Sequence, residues 1–556
     1  MKNTIILFWL LHLLLIHSAI AQEFQNLDFE FGQYNDQPVK WATEGSNGHV
    51  NLDSIILKTG KKSLHVNVKN GEIYVYLILS PHLIAGKTVA FTADLKQTAG
   101  DSVKGNLLLF NPNQSPILSN DIPNNNNWNT IAHQALFPKQ YDSDRMLLGF
   151  SIQGSGNIWI DNVNIKIDGV NYGDGTPDFR GPTNAEITML NKSVIPISIN
   201  QSSEDEKELK PLNKLIGNAK IVGLGENSHG SSSIFKVKLR LVKYLVKNLG
   251  FTLFALEAPT VECDLINQYV LYGKASKREV IQNLVYKVWQ NEDILNIVEW
   301  IKTYNETAKI KVEFRGVDCQ NSISALNYLL DVKKDNPLHN TEVKKLKELF
   351  DYSLKEKKRW EVVYLQLNKV DSIYEIEEKT SDKIKRYLLI FRQGLTFHSE
   401  STDYKLRDQY MADNVDWLIK HGRPSEKIIV SADNQHINKS SAVQGGYLNQ
   451  KYGKDYINIG FTYRTGHYAA DGPKKMYEVH PPYLGTYEYF LSKSKFNNFI
   501  IDLRKSDIDY LNKKAGFRVL GSRPQEASQF VEVNLKSLFD ILIYLDKSEP
   551  TVFLVP

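Results

Sequence analysis

The chain has 556 residues, 42% of them hydrophobic and 23% charged, with a net charge of +4. That length exceeds what a single hydrophobic core organises, so at least two domains are expected. The near-balanced charge builds no concentrated field, and no nucleic-acid partner is expected.

Lys2 precedes an almost unbroken apolar run over residues 5–16, and Ala19-Ile20-Ala21 stands before Gln22. A basic start, an apolar stretch and a small-residue cleavage pattern predict a signal peptide over residues 1–21. The product is then secreted or periplasmic. The apolar run is shorter than the ~20 residues of a membrane span and no later run approaches that length, so no membrane insertion of the mature chain is expected. No cysteine lies near the cut to carry a lipid anchor.

From Phe24 to about Ile167, short alternating runs separated by turn residues predict an all-β jelly-roll-like sandwich, placed at residues 22–168. Residues 63–68, 88–93 and 158–163 are examples. Residues 26–30, 60–64 and 159–163 resemble the beginning, middle and end of carbohydrate-binding jelly rolls, which implies a glycan ligand. A plain stabilising sandwich is the alternative. Glycine and proline crowd residues 168–182, which predicts a linker or an extended crossing, placed at 169–183.

Residues 184–556 alternate strands with long amphipathic helices, the pattern of an α/β domain with a central, largely parallel sheet. Residues 221–224 read as a strand, and Phe235, Leu239, Val242, Val246 and Leu249 as one apolar helical face that stops at Gly250. Later strands over 252–256, 312–314 and 428–430 run into Glu257, into Asp318, and into Asp433 with His436. Polar residues thus gather at strand C-terminal ends, where open α/β sheets bind ligands. The charged stretch over 341–397 predicts a helical insertion, either a solvated helical pair or a lid. Cys263 and Cys319, the only cysteines, allow one bridge or, as cysteine burial favours, two buried thiols.

The sharpest motif is Gly223-Leu224-Gly225-Glu226-Asn227-Ser228-His229-Gly230. Its glycines permit a tight turn out of the strand, and the turn delivers a carboxylate and an imidazole together. Histidine titrates near neutrality, so His229 can take a proton from water while a neighbouring carboxylate fixes its tautomer. His398, His421 and His467 lack such a setting and read as packing or surface residues. Asp318 can equally cap a helix, and Arg407 can pair with Asp408.

At this loop the chain resembles the erythromycin esterase family, whose members open with Gly-Glu-x-x-His-Gly and continue through a helix to a strand ending as Phe254-Ala255-Leu256-Glu257-Ala258 does here. The likeness runs on through Trp289, Glu292, Trp300 and Tyr304-Asn305, and through Phe314-Arg315-Gly316-Val317-Asp318-Cys319-Gln320. It continues through Arg407-Asp408, Met411-Ala412-Asp413-Asn414, Asn434-Gln435-His436 and Phe539-Asp540, over about residues 184–554. The resemblance implies a hydrolase of a small-molecule ester or macrolactone that uses a His-activated water and no covalent intermediate. By motif, His229 would be the base, Glu226 and Glu257 would orient base or water, and His436 would be a second imidazole. Arg407, Lys238 and Asp433 would face the substrate, Arg407 toward the developing oxyanion. Asp433 stands where the family commonly has a histidine, which separates the reaction class from the macrolide substrate.

No cofactor is implied. Glu226, His229, Glu257, Asp433 and His436 could alternatively hold Zn²⁺ or Mn²⁺, although the helical His-Glu-x-x-His spacing is absent. A degenerate hydrolase serving as a glycan-binding surface protein is the other alternative. No Gly-x-Ser-x-Gly elbow, Walker loop or dinucleotide fingerprint is present.

Overall fold

The computed structural model describes residues 24–554 except 33–35, 80, 99, 111–116, 119–124, 138–145, 176–179, 200–205, 333–336, 377–380, 401–403, 471–474 and 522–528. The signal peptide expected at residues 1–21 lies outside the described residues. The chain divides into two compact units, residues up to Arg180 and residues from Gly181 onward, short pieces near 483 and 525 aside.

The first unit is all β. Its strands are β1 (Ala42–Asp53), β2 (Ser63–Leu79), β3 (Thr88–Gln97), β4 (Lys104–Phe110), β5 (Ile117–Leu118), β6 (Asn129–Leu136), β7 (Met146–Ile167) and β8 (Val170–Tyr172). They pair antiparallel in the order β1-β2-β7-β3-β6, with β4 and β8 also on β7 and β5 on β4. The two-residue period of a strand explains the layering: Leu64, Val66 and Val68 are buried, while His65 and Asn67 are only half-buried. The core these side chains enter also holds Phe29, Trp41, Phe91 and Phe150. The expected linker begins too early. Residues 170–172 add a strand to β7, and Phe24 bridges Asp174, so the glycines there turn a chain that is still pairing.

The second unit is α/β. Its strands are β9 (Val194–Pro196), β10 (Ile221–Leu224), β11 (Leu253–Pro259), β12 (Glu313–Asp318), β13 (Ile428–Ser431), β14 (Tyr456–Ala469), β15 (Met476–Glu478), β16 (Asn498–Asp502), β17 (Ala515–Arg518), β18 (Phe530–Val533) and β19 (Ile541–Ser548). The central order is β12-β11-β13-β10-β14-β19-β16-β9. The first six are parallel, and β16 and β9 close one edge antiparallel. β10 and β13 are buried at every position, as sheet strands covered on both faces must be.

The helix Ser232–Leu249 starts where the Ser231 side chain accepts the Ile234 N–H, and it ends at Gly250, whose φ of 72° is left-handed. The charged stretch over 341–397 is helical, in Pro337–Glu356, Trp360–Ile376 and Asp382–Ser399. A solvated pair does not describe it: Leu346, Phe350, Val363, Leu367, Tyr387 and Phe391 are buried in a core shared with helix Ile323–Val332. Cys263 and Cys319 are both buried free thiols.

Candidate active site at the strand ends

Four neighbouring strands, β12, β11, β13 and β10, each carry an acidic residue to their C-terminal end: Asp318, Glu257, Asp433 and Glu226. Parallel register aligns these ends. Leu224 and Leu256 both face Ser431, so the residues that follow emerge at one level.

On β10 the chain turns into the His229 loop. Glu226 is fully buried, and its Oε1 lies 2.8 Å from His229 Nδ1. Its other oxygen accepts from Lys238 Nζ, which also donates to Ser431 Oγ at 3.0 Å. The carboxylate therefore holds the Nδ1 proton and leaves His229 Nε2 as the outward lone pair. The edge of Trp289 packs on the imidazole at 4.8 Å between ring centroids, and the Trp289 indole N–H is spent on the Glu257 carbonyl at 2.8 Å. Backbone bonds fix the loop from below: Leu520 and Gly521 N–H groups donate to the Asn227 carbonyl, each at 3.0 Å. The glycines act differently from the expected turn formers. None of Gly223, Gly225 and Gly230 has a positive φ. They permit close approach instead: a Cβ on Gly225 would meet Asn434 Oδ1, and one on Gly230 the Ala469 carbonyl.

On β11 and β12 two carboxylates grip one guanidinium. Arg407, from helix Tyr404–Lys420, donates from Nε to Asp318 Oδ1 at 3.1 Å and from Nη2 to Asp318 Oδ2 and Glu257 Oε1, both at 2.9 Å. The expected Arg407–Asp408 pair is not formed. Adjacent helical residues diverge by about 100°, and Asp408 turns instead to His436 Nδ1, at 2.8 Å. His436 Nε2 lies 3.2 Å from Glu257 Oε1. Burial opposes charge on His436, but Glu257 and Asp408 outweigh it and push its pKa up to about 10. It is an imidazolium at neutral pH. Burial likewise works against the Glu257 carboxylate, yet His436, Arg407 and His229 hold it well below the usual carboxylate range.

On β13, Asp433 caps the short helix Asn434–Ile437: its Oδ1 accepts the Gln435 N–H at 2.7 Å. Its Oδ2 stands 4.0 Å from His229 Nε2. Burial raises the Asp433 carboxyl, with His229 and the Gln435 N–H pulling it back.

All seven residues read from the sequence come together here; His229, Asp433, Glu257, Arg407 and His436 keep some access to solvent, while Glu226 is sealed beneath His229. Lys238 does not reach a substrate position. Its side chain is 1% exposed, sealed behind Glu226 and under the Phe235 ring. Spacings of three from Phe235 and four to Val242 already put it on the apolar helical face, a signal of burial. Sequence reasoning missed Asp408 as the His436 partner and left Asp318 as a cap. His421 and His467 are exposed, and His398 bonds the Gln320 carbonyl at 2.9 Å. A groove of about 840 Å³ between insertion helices, lined by Lys345, Tyr352, Arg359 and Leu365 among others, shares no residue with the site.

Comparison with known proteins accords with this arrangement. The chain is 24% identical over 413 residues to erythromycin esterase type II of Escherichia coli, covering 64% of this chain and 96% of that protein. A crystal structure of a Bacillus cereus protein superposes with a TM-score of 0.59 at 26% identity, over 68% of this chain and all of that one. An erythromycin esterase variant crystallised in an open conformation shares the fold, with a TM-score of 0.50 at 19% identity over 66% of this chain and 99% of that chain. The family model described as erythromycin esterase matches residues 246–548, beginning after the His229 loop and taking in Glu257, Asp318, Arg407, Asp408, Asp433 and His436. With more than half its length inside that match and the motif-bearing strand ends gathered as described, the chain belongs to the erythromycin esterase family.

Proposed function

We propose that this protein is a secreted hydrolase that cleaves an ester or macrolactone of a small molecule by direct attack of water, with His229 as the base. The observation that carries the reading is the 2.8 Å contact between Glu226 Oε1 and His229 Nδ1, which leaves Nε2 as the proton acceptor. As Nε2 takes the proton, the new imidazolium is stabilised by Glu226, whose other oxygen accepts a hydrogen bond from Lys238. General-base action of this kind is worth roughly 10²–10⁴-fold.

The charge that develops on the carbonyl oxygen needs a positive group already in place. His436, 16% exposed and flanked by Arg407, supplies that charge through the local potential, since both its ring nitrogens are held by Asp408 and Glu257. Arg407 works from behind: Asp318 and Glu257 spend most of its donors, so it positions Glu257 and raises the local potential. Asp433 and the imidazoles leave the leaving alkoxide a route to recover the proton from Nε2.

The donor chemistry speaks against the divalent-metal reading. Glu226, Glu257 and His436 are turned to His229, Lys238, Arg407, Asp408 and the Asp433 N–H, so a metal bound through them would have to compete with these partners. A glycan ligand for the first unit stays a separate proposal, tested by binding of that unit to polysaccharides.

The test is hydrolysis of erythromycin and a panel of aryl esters and lactones by the full chain beside His229→Ala, with and without chelator. Turnover that survives chelator and falls at least about 100-fold in the variant is expected. Loss with chelator would move the assignment to a metal centre.

A further inference from the structure

We infer that the attacking water sits between His229 Nε2 and Asp433 Oδ2, with Asp433 as the residue that orients it while His229 takes its proton. The inference rests on the hydrolytic reading above and adds a water-positioning residue to it.

The two atoms are 4.0 Å apart. They are too far apart to bond each other, but two hydrogen bonds of about 2.8 Å meeting at one oxygen span roughly 4 to 4.5 Å. The neighbouring polar atoms are already used. His229 Nδ1 faces Glu226, Asp433 Oδ1 accepts the Gln435 N–H, and Glu257 Oε2 accepts the Asp433 N–H at 3.0 Å. Among the described residues no hydrogen bond reaches His229 Nε2 or Asp433 Oδ2.

The Asp433 carboxylate offers an acceptor on the side of the water facing away from His229. It accepts one water proton and turns the other toward Nε2. That second proton passes to Nε2, the oxygen lone pair forms the bond to the carbonyl carbon, and the carbonyl π pair moves to oxygen. On collapse the carbon–oxygen bond to the leaving group breaks, and the alkoxide takes the proton back from Nε2. Asp433 keeps the same ionisation throughout.

It must be ionised to accept, and its surroundings set when it is. His229, His436, Glu257 and Lys238 are the charged or titratable groups that act on it. Burial raises its carboxyl and Glu257 adds to that, while His229 and the Gln435 N–H pull it back, so loss of this carboxylate alters the acidic side of the rate profile, where the base His229 must also be unprotonated.

Asp433→Asn is a selective probe because of the cap. Asparagine keeps Oδ1 on the Gln435 N–H and therefore presents Nδ2, a donor, toward His229. The fold is kept and the acceptor is lost. With the full chain acting on p-nitrophenyl acetate and erythromycin, kcat is expected to fall about 10- to 100-fold. KM should stay within about twofold and the acidic side of the rate profile should change shape, while Asp433→Glu restores that shape with part of the rate. A crystal structure of the full chain should show an ordered water within about 3.2 Å of both atoms, whichever substrate is turned over.

An empty gap in well-ordered density overturns the inference. So does Asp433→Asn with an unchanged kcat and pH profile while His229→Ala is inactive, an outcome that leaves the hydrolytic reading standing. A fully active His229→Ala removes both.

Discussion

Removing the Lys238 amino group leaves one oxygen of the buried Glu226 without its hydrogen-bond donor. Leaving a buried acceptor without its donor costs roughly 1–3 kcal/mol. Lys238→Met is therefore expected to lower Tm and to abolish turnover through Glu226, and Tm with a neutral-pH rate assay checks both. His436 behaves oppositely with pH. Its folded pKa, about 10, lies above the ordinary histidine value, so the folded state binds the extra proton. The stability this contributes is complete below about pH 6.5 and is lost as pH rises through about 10. Thermal melts should show Tm falling across that window, and His436→Gln should flatten that part of the fall. At this scale the sequence was legible where partners are neighbours. Glu226 and His229 lie three residues apart in one loop. The Asp408–His436 pair joins two separate elements, and nothing in either stretch says that these two side chains meet.

Elements position these groups through backbone closeness more than through turns. Gly230 carries the Ala469 N–H on its carbonyl at 3.1 Å and the Thr551 N–H at 2.9 Å, and a methyl group there would strike the Ala469 carbonyl. Gly230→Ala should cost roughly 1–3 kcal/mol, the usual range for overpacking, and reduce kcat by displacing His229. Calorimetry and steady-state kinetics read the two effects. The motif was visible in the sequence, but its reason was not: glycine spacing suggests a turn, and only the packed strand β14 shows that space is what is required. Strands and helices with clear periodicity, such as 221–224 and 235–249, were readable. The pairing of residues 170–172 was hidden by flanking glycines that also suit a linker.

The molecule holds two units with separate cores, one around Trp41 and Phe150 and one across the second sheet. Each core is large enough to unfold as its own cooperative unit. Differential scanning calorimetry of the full chain is expected to show two transitions, with Lys238→Met and Gly230→Ala moving only one of them; a single transition that shifts as a whole would count against separate unfolding. Domain number and class followed from length and from the change of period near residue 180. Strand order did not, because side-chain periodicity says which face is buried and nothing about which strand lies beside which.

That order has a kinetic consequence. β13, which starts at residue 428, lies between β10, which ends at 224, and β11, which ends at 259. β10 and β11 have no edge in common until residues 428–431 slot between them. Closing so long a loop is slow and must precede the contacts that reward it. The acids carried by β10 and by β11 therefore share one site only once β13 has joined the sheet between them.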